Sequence, residues 1–133
     1  MALVEKFGPV IGRILIALLF IPAGISKAGN FAGTVAYIGS KNLPLPQVAA
    51  AGTIFVEIVV ALALLVGFKA RYAALILAVF TVAAALIFHN YWAVPDAQKM
   101  MQQINFFKNL AIVGGLFFVA AFGAGPLSVD NRR

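Results

Sequence analysis

A carboxylate in the middle of an apolar run, one histidine and two lysines near the ends of other runs are the side chains best placed for chemistry. Glu57 stands in Phe55-Val56-Glu57-Ile58-Val59-Val60. His89 closes the run that begins near Tyr72, Lys27 closes the run that begins near Pro9, and Lys108 lies near the start of the run from Asn105. A carboxylate held away from water either pairs with a cation or carries a proton. Lysine and histidine near it supply hydrogen-bond donors for a ligand oxygen. That combination suits proton-coupled chemistry on a small carbonyl-bearing molecule. Other chemistries fall to counting. The chain has no cysteine, which excludes disulfides, thiol relays and iron–sulfur ligation within it. One histidine cannot build a bis-histidine haem site. His89 and Glu57 make two metal ligands, no HExxH or clustered Cys/His spacing exists, and no metal is expected. A redox role therefore rests on a bound organic molecule such as a quinone, or on a partner subunit.

The elements that position these residues follow from composition. Of 133 residues, 63% are hydrophobic and 11% charged, and the mean hydropathy is +1.02. Soluble domains carry about 25% charged residues, so an ordinary soluble enzyme, a disordered tail and a nucleic-acid module are excluded. The chain belongs in a bilayer. Its net charge of +6 comes from basic residues scattered singly between apolar runs, with Arg132-Arg133 the one adjacent pair. No phosphate-tracking stripe exists, and no nucleic-acid partner is expected. A hydrocarbon core about 30 Å thick needs roughly 20 residues of helix. Four stretches qualify, about 9–27, 46–68, 72–90 and 105–123. The expected fold is all-α: a four-transmembrane-helix bundle, antiparallel and up-down, forming one domain over 1–133. Met1 to Lys6 is no basic signal-peptide head, so the first stretch is expected as a retained helix.

Phe68-Lys69-Ala70-Arg71 is short enough to make the second and third helices antiparallel neighbours. The 28–45 connection carries Phe31, Val35 and Ile38 at helical spacing before Pro44-Leu45-Pro46, which predicts an interfacial loop or half-helix. The 91–104 connection sets Tyr91 and Trp92 at headgroup level. Four spans put both termini on one side. That side holds Lys6, Arg13, Lys69, Arg71, Arg132 and Arg133, against Lys27, Lys41, Lys99 and Lys108 on the other. The bias places both termini on the cytoplasmic side of the membrane.

Periodicity then selects faces. Ala74, Ala78, Thr81, Ala85 and His89 form a small-residue stripe on the third helix, the pattern of close backbone approach. Ala50, Thr53, Glu57, Ala61 and Leu64 share a face of the second helix, Arg13, Phe20, Gly24 and Lys27 of the first, and Lys108, Ala111 and Gly115 of the fourth. With 1.5 Å of rise per residue, Lys27, His89 and Lys108 lie roughly 22–27 Å from the inner ends of their helices and Glu57 about 16 Å. Three polar groups thus gather toward the outer leaflet over a mid-span carboxylate, while Arg13 lies apart near the inner surface. Plainer roles also suit some of them: snorkelling anchors for Lys27 and Lys108, an idle interfacial residue for His89, an inner-surface anchor for Arg13. Glu57 reaches neither interface and has no such role.

The order of these features resembles the DoxX family of small four-helix membrane proteins, over nearly the whole chain. The matching residues are Gly12-Arg13, Phe20, Gly24 and Lys27, then Leu43-Pro44-Leu45-Pro46, Glu57, Gly67 and Arg71-Tyr72-Ala73-Ala74. His89, Phe107-Lys108-Asn109-Leu110-Ala111, Gly114-Gly115 and Gly125-Pro126-Leu127-Ser128-Val129-Asp130 complete the set. The family is named for subunits associated with a thiosulfate:quinone oxidoreductase and terminal-oxidase system, and bacterial members are commonly labelled quinol oxidases. Without cysteine, direct thiol chemistry does not carry over. The family's recurring polar residues fall on Arg13, Lys27, Glu57, His89, Lys108 and Asn109.

Together these lines predict a pocket in the outer half of the bundle for a quinone-like ligand. Glu57, His89 and Lys108 are its expected catalytic residues, with His89 and Lys108 donating to ligand oxygens and Glu57 relaying protons. Lys27, Asn109 and Arg13 are the expected binding residues, Lys27 also balancing the charge of Glu57. The expected partners are the lipid bilayer and a redox partner protein, with homo-oligomerisation open. A non-catalytic membrane scaffold or chaperone, or a small proton-coupled transporter, stands as the alternative.

Overall fold

The structure, a computed structural model, describes residues 1–131. Arg132 and Arg133, counted above in the charge asymmetry, lie outside the described residues. Among the described residues the structure is all-helical, and four helical segments are long and apolar enough to cross a membrane: Ala2–Gly29, Pro46–Val66, Ala70–Ala93 and Asp96–Phe122.

The first span, α1 (Ala2–Gly29), keeps Pro9 and Pro22 inside it. Membrane helices tolerate interior proline because neighbouring groups re-satisfy the freed carbonyls. The helix begins before Pro9 because Ala2, Leu3, Glu5 and Lys6 favour helix. A short helix, α2 (Phe31–Gly39), follows in the 28–45 connection. Asn30 caps it by accepting from the Gly33 N–H at 3.3 Å, and Thr34 Oγ1 donates to the Lys27 carbonyl at 3.3 Å, near the end of α1.

The second span is built in three pieces. α3 (Pro46–Phe55) starts on a proline, which suits a first helical turn. One π-helical turn covers Val56–Val60, and α4 (Ala61–Val66) completes the span. It ends in a Schellman cap at Gly67: Phe68 N–H donates to the Ala63 carbonyl at 2.8 Å and Gly67 N–H to that of Leu64 at 3.1 Å. The third span, α5 (Ala70–Phe88), runs antiparallel to the second after this tight turn.

A single 3-10 turn at Tyr91–Ala93 leads to α6 (Asp96–Phe122), which starts well before the expected residue 105. The added turns rest on Ala97, Gln98, Lys99, Met100, Met101 and Gln102, good helix formers, with Asp96 favourably placed in the first turn. Tyr91 and Trp92 pack edge-on against Phe106 at 5.6 and 5.5 Å between ring centres.

The core is rich in alanine, with a few larger side chains between the alanines. Ala17 and Phe20 of α1, Ala50, Ala61 and Leu64 of the second span, and Ala74, Leu77, Ala78 and Ala85 of α5 are buried. Lipid chains are as apolar as a protein core, so close backbone packing takes over the role that water exclusion plays in soluble proteins. Large side chains such as Leu15, Leu18, Val79 and Phe118 point outward. α1 packs on the second span, α5 on the second span and on α6, and α2 on α3 and α1.

The C-terminal segment ties the terminal end together. Val129 and Asp130 donate their N–H groups to the carbonyls of Val66 and Gly67 at 2.9 and 2.8 Å. The Asp130 carboxylate accepts from the Lys69 and Ala70 N–H groups at 2.6 and 2.8 Å and so caps α5 from a distant part of the chain. Asp130→Ala is expected to lower stability by about 1–2 kcal/mol through loss of this cap and its charge at the helix start. Asp130→Asn, which keeps one acceptor, is expected to lose less. Melting of the detergent-solubilised variants checks the order.

Candidate functional site

Glu57 stands on the π turn. A π turn widens the backbone ring by one residue and recurs at functional sites in membrane and soluble helices alike. The neighbouring helix comes close here. A Cβ at Gly24 would stand 2.7 Å from Ile58 Cγ1 and 2.9 Å from Glu57 Cβ, so only glycine lets α1 lie against this turn. Lys27 follows Gly24 by one turn on the same face. Side chains on a helix lean toward its N-terminus, and that lean carries the Lys27 ammonium inward toward Glu57. Lys27 Nζ lies 2.8 Å from Glu57 Oε1 and 3.1 Å from Oε2. The carboxylate is the buried partner, 7% exposed against 36% for the lysine side chain. Gly24→Ala is expected to push α1 off the π turn, at a cost of about 1–3 kcal/mol, the range of overpacked cores. Because it also separates the pair, the loss should shrink in a Glu57→Gln background, which a double-mutant melting series measures.

The pair lies in the wall of a cavity of about 640 Å³ between α1, α2, the second span and α5. Thr53, Thr81, His89 and Asn109 add polar groups to it, and Phe20, Tyr37, Phe80 and Phe88 add rings. Tyr37 of α2 stacks on Phe88 of α5 at 5.2 Å between centres. The Thr81 hydroxyl donates to the Leu77 carbonyl at 2.6 Å, leaving its oxygen as an acceptor. His89 Nδ1 lies 2.8 Å from Gln102 Oε1. The contact fixes the ring's orientation and leaves Nε2 without a partner among the hydrogen bonds of the described residues.

Two expected site residues lie elsewhere. Lys108 is exposed on the outer face of α6 and takes no part in the cavity wall. The buried residues of α6 are Val113 and Leu116, and Asn109, which lines the cavity, precedes them at helical spacing. The Lys108–Ala111–Gly115 stripe therefore is not the packing face. Arg13 is buried at 1% exposure, but at the terminal end, where Nη1 donates to the Leu65 carbonyl and Nη2 to that of Leu127 at 2.9 Å. It neither anchors at a surface nor lines the cavity: it joins α1 to the end of α4 and to the C-terminal segment. Sequence reading missed Gln102, the partner of His89, and the π turn. The first lies in what reads as a loop, and a π turn has no residue signature of its own.

Comparison with known proteins agrees with this architecture. The DoxX family profile matches residues 8–90. The chain is 35% identical over 123 residues to the inner membrane protein YphA of Escherichia coli K12, covering 92% of this chain and 88% of the relative. It is 37% identical over 130 residues to the inner membrane protein YqjF of the same strain, covering 96% and 92%. A yeast protein, the ER-derived vesicles protein ERV29 of Saccharomyces cerevisiae, is 28% identical over 122 residues, which cover 92% of this chain and 32% of the yeast protein. No solved structure matches. With four spans in the bundle and inner membrane proteins similar over nearly their whole lengths, the chain belongs to the DoxX family and is a multi-pass inner-membrane protein.

Proposed function

We propose that the cavity binds a quinone-like ligand from the bilayer and that its polar wall manages the ligand's protons. The observation that carries this is the meeting of the Lys27–Glu57 pair, His89 and Asn109 with several aromatic rings in one cavity. Small-ligand sites are apolar spaces of about 300–1,000 Å³ with a few convergent polar groups. A quinone couple supplies two-electron chemistry with two protons, and the electrons pass to or from a redox partner protein, since this chain has no cysteine and one histidine. His89 Nε2 exchanges a hydrogen bond with a ligand oxygen, with Gln102 orienting the ring through Nδ1. Asn109 offers both an N–H and a carbonyl to the ligand's oxygens. Lys27 pairs with Glu57, and movement of the ammonium toward a ligand oxygen leaves the Glu57 carboxyl group free to exchange a proton with the ligand. With the termini cytoplasmic, the cavity faces the outer leaflet.

The test is the melting temperature of the detergent-solubilised protein with ubiquinone and menaquinone analogues, for wild type, Glu57→Gln and His89→Ala. A ligand at about 100 times its Kd stabilises by roughly 2.7 kcal/mol. The expected result is a saturable shift in wild type that both variants lose. A second reading, a non-catalytic scaffold, is favoured by one feature: both oxygens of Glu57 already accept from Lys27, as a structural ion pair would have it. Under that reading quinones shift nothing and Glu57→Gln only melts earlier.

A further inference from the structure

A second cavity, of about 470 Å³, opens at the other end of the bundle and has no part in the site above. Its wall includes Lys69, Arg71 and Tyr72 from the start of α5, Gly123 from the end of α6, and Asp130 of the C-terminal segment. The apolar spans Ala70–Ala93 and Asp96–Phe122 meet their limits here, so the cavity sits at headgroup level.

Arg71 packs over Gly123 and has no hydrogen-bond or ion-pair partner among the described residues. Its guanidinium lies against Gly123, where a Cβ would stand 3.3 Å from Nε and 3.6 Å from Nη2. Gly123 also has φ +86°, a conformation glycine accepts most readily. Among the described residues the ion pairs join Lys27 to Glu57 and Lys99 to Asp96, and none involves Arg71 or Lys69. Lys69 Nζ rests 5.8 Å from the centre of the Phe68 ring, a weak hold at an exposed site. Asp130, the carboxylate in this wall, has one oxygen on the Lys69 N–H and the other on the Ala70 N–H. Both of its oxygens are thus engaged by backbone N–H groups, and neither forms an ion pair with Lys69 or Arg71. Tyr72 is 70% exposed beside them, a ring and hydroxyl at the membrane boundary.

We infer that this cleft is a phosphate site and that it takes the phosphodiester of an anionic phospholipid headgroup. The two non-ester oxygens of a phosphodiester match the fork of Arg71. Lys69 adds a second charge, and an anionic leaflet concentrates such lipids at basic residues near the surface.

The experiment follows melting of the full-length protein in neutral detergent during titration with phosphatidylglycerol, phosphatidylcholine of the same chains, or inorganic phosphate. Wild type is compared with Arg71→Gln and with Lys99→Gln, which removes the same charge at the opposite end. Arg71 is exposed and makes no hydrogen bond within the described residues, so Arg71→Gln should fold with an unchanged baseline. Phosphatidylglycerol should give a saturable upward shift that phosphatidylcholine does not, absent in Arg71→Gln and intact in Lys99→Gln. An equal shift with inorganic phosphate would uphold the phosphate chemistry and assign the free ion as its source. Equal shifts with both lipids, a shift that survives Arg71→Gln, or one lost equally in Lys99→Gln would overturn the proposal.

Discussion

Lys27→Met should lower the melting temperature of the solubilised protein on the order of 10 °C, and adding Glu57→Gln should restore much of that loss. The Glu57 side chain is 7% exposed and both of its oxygens accept from one ammonium, at 2.8 and 3.1 Å. Removing one partner of a buried ion pair costs about 3–5 kcal/mol, because the remaining charge is left without solvation. Replacing both partners removes that penalty, so the two losses are strongly non-additive. The same cycle bears on function. In the quinone reading the double variant is stable yet loses the ligand-induced shift, whereas in the scaffold reading it is stable and complete. Strictly additive losses would show that the pair contributes nothing as a pair.

Arg13→Met is expected to be at least as damaging, with a loss of about 3 kcal/mol or more. The guanidinium is buried at 1% exposure and donates to the Leu65 carbonyl, to Leu127 at 2.9 Å and more loosely to Pro126 at 3.5 Å. Leu65 is in the last turn of α4, where carbonyls lack helical partners. The variant leaves these part-buried oxygens without their donor and loosens the segment that carries Asp130 to the start of α5. Arg13→Lys keeps the charge but not the fork, and should recover only part of the loss. Melting combined with limited proteolysis checks this, since the C-terminal segment should become cleavable in Arg13→Met. An unchanged melting temperature with a protected C-terminus would remove Arg13 from the joint.

These expectations rest on features of unequal legibility. The faces of three spans could be read from spacing. Arg13, Phe20 and Gly24 of α1, Ala50, Glu57, Ala61 and Leu64 of the second span, and Ala74, Ala78, Thr81 and Ala85 of α5 are all buried. On α6 the same reasoning chose Lys108, Ala111 and Gly115, while Val113 and Leu116 are the buried residues. In a bilayer both faces of that helix are apolar, so hydropathy does not distinguish lipid from protein as a neighbour. α6 packs chiefly on α5, and tertiary contact rather than hydropathy sets its rotation.

Composition and periodicity alone determined that this chain is an all-helical membrane protein with four spans and a carboxylate at mid-depth. Those properties follow from hydrocarbon thickness and from the repeat of a helix, which every residue in a run reports locally. The tertiary structure alone decided that Lys108 stays outside the cavity wall, that Arg13 reaches the C-terminal segment, and that Gln102 is the partner of His89. Each depends on partners far along the chain, often backbone carbonyls. A carbonyl is present at every residue, so nothing in the sequence marks the one that a buried guanidinium will reach.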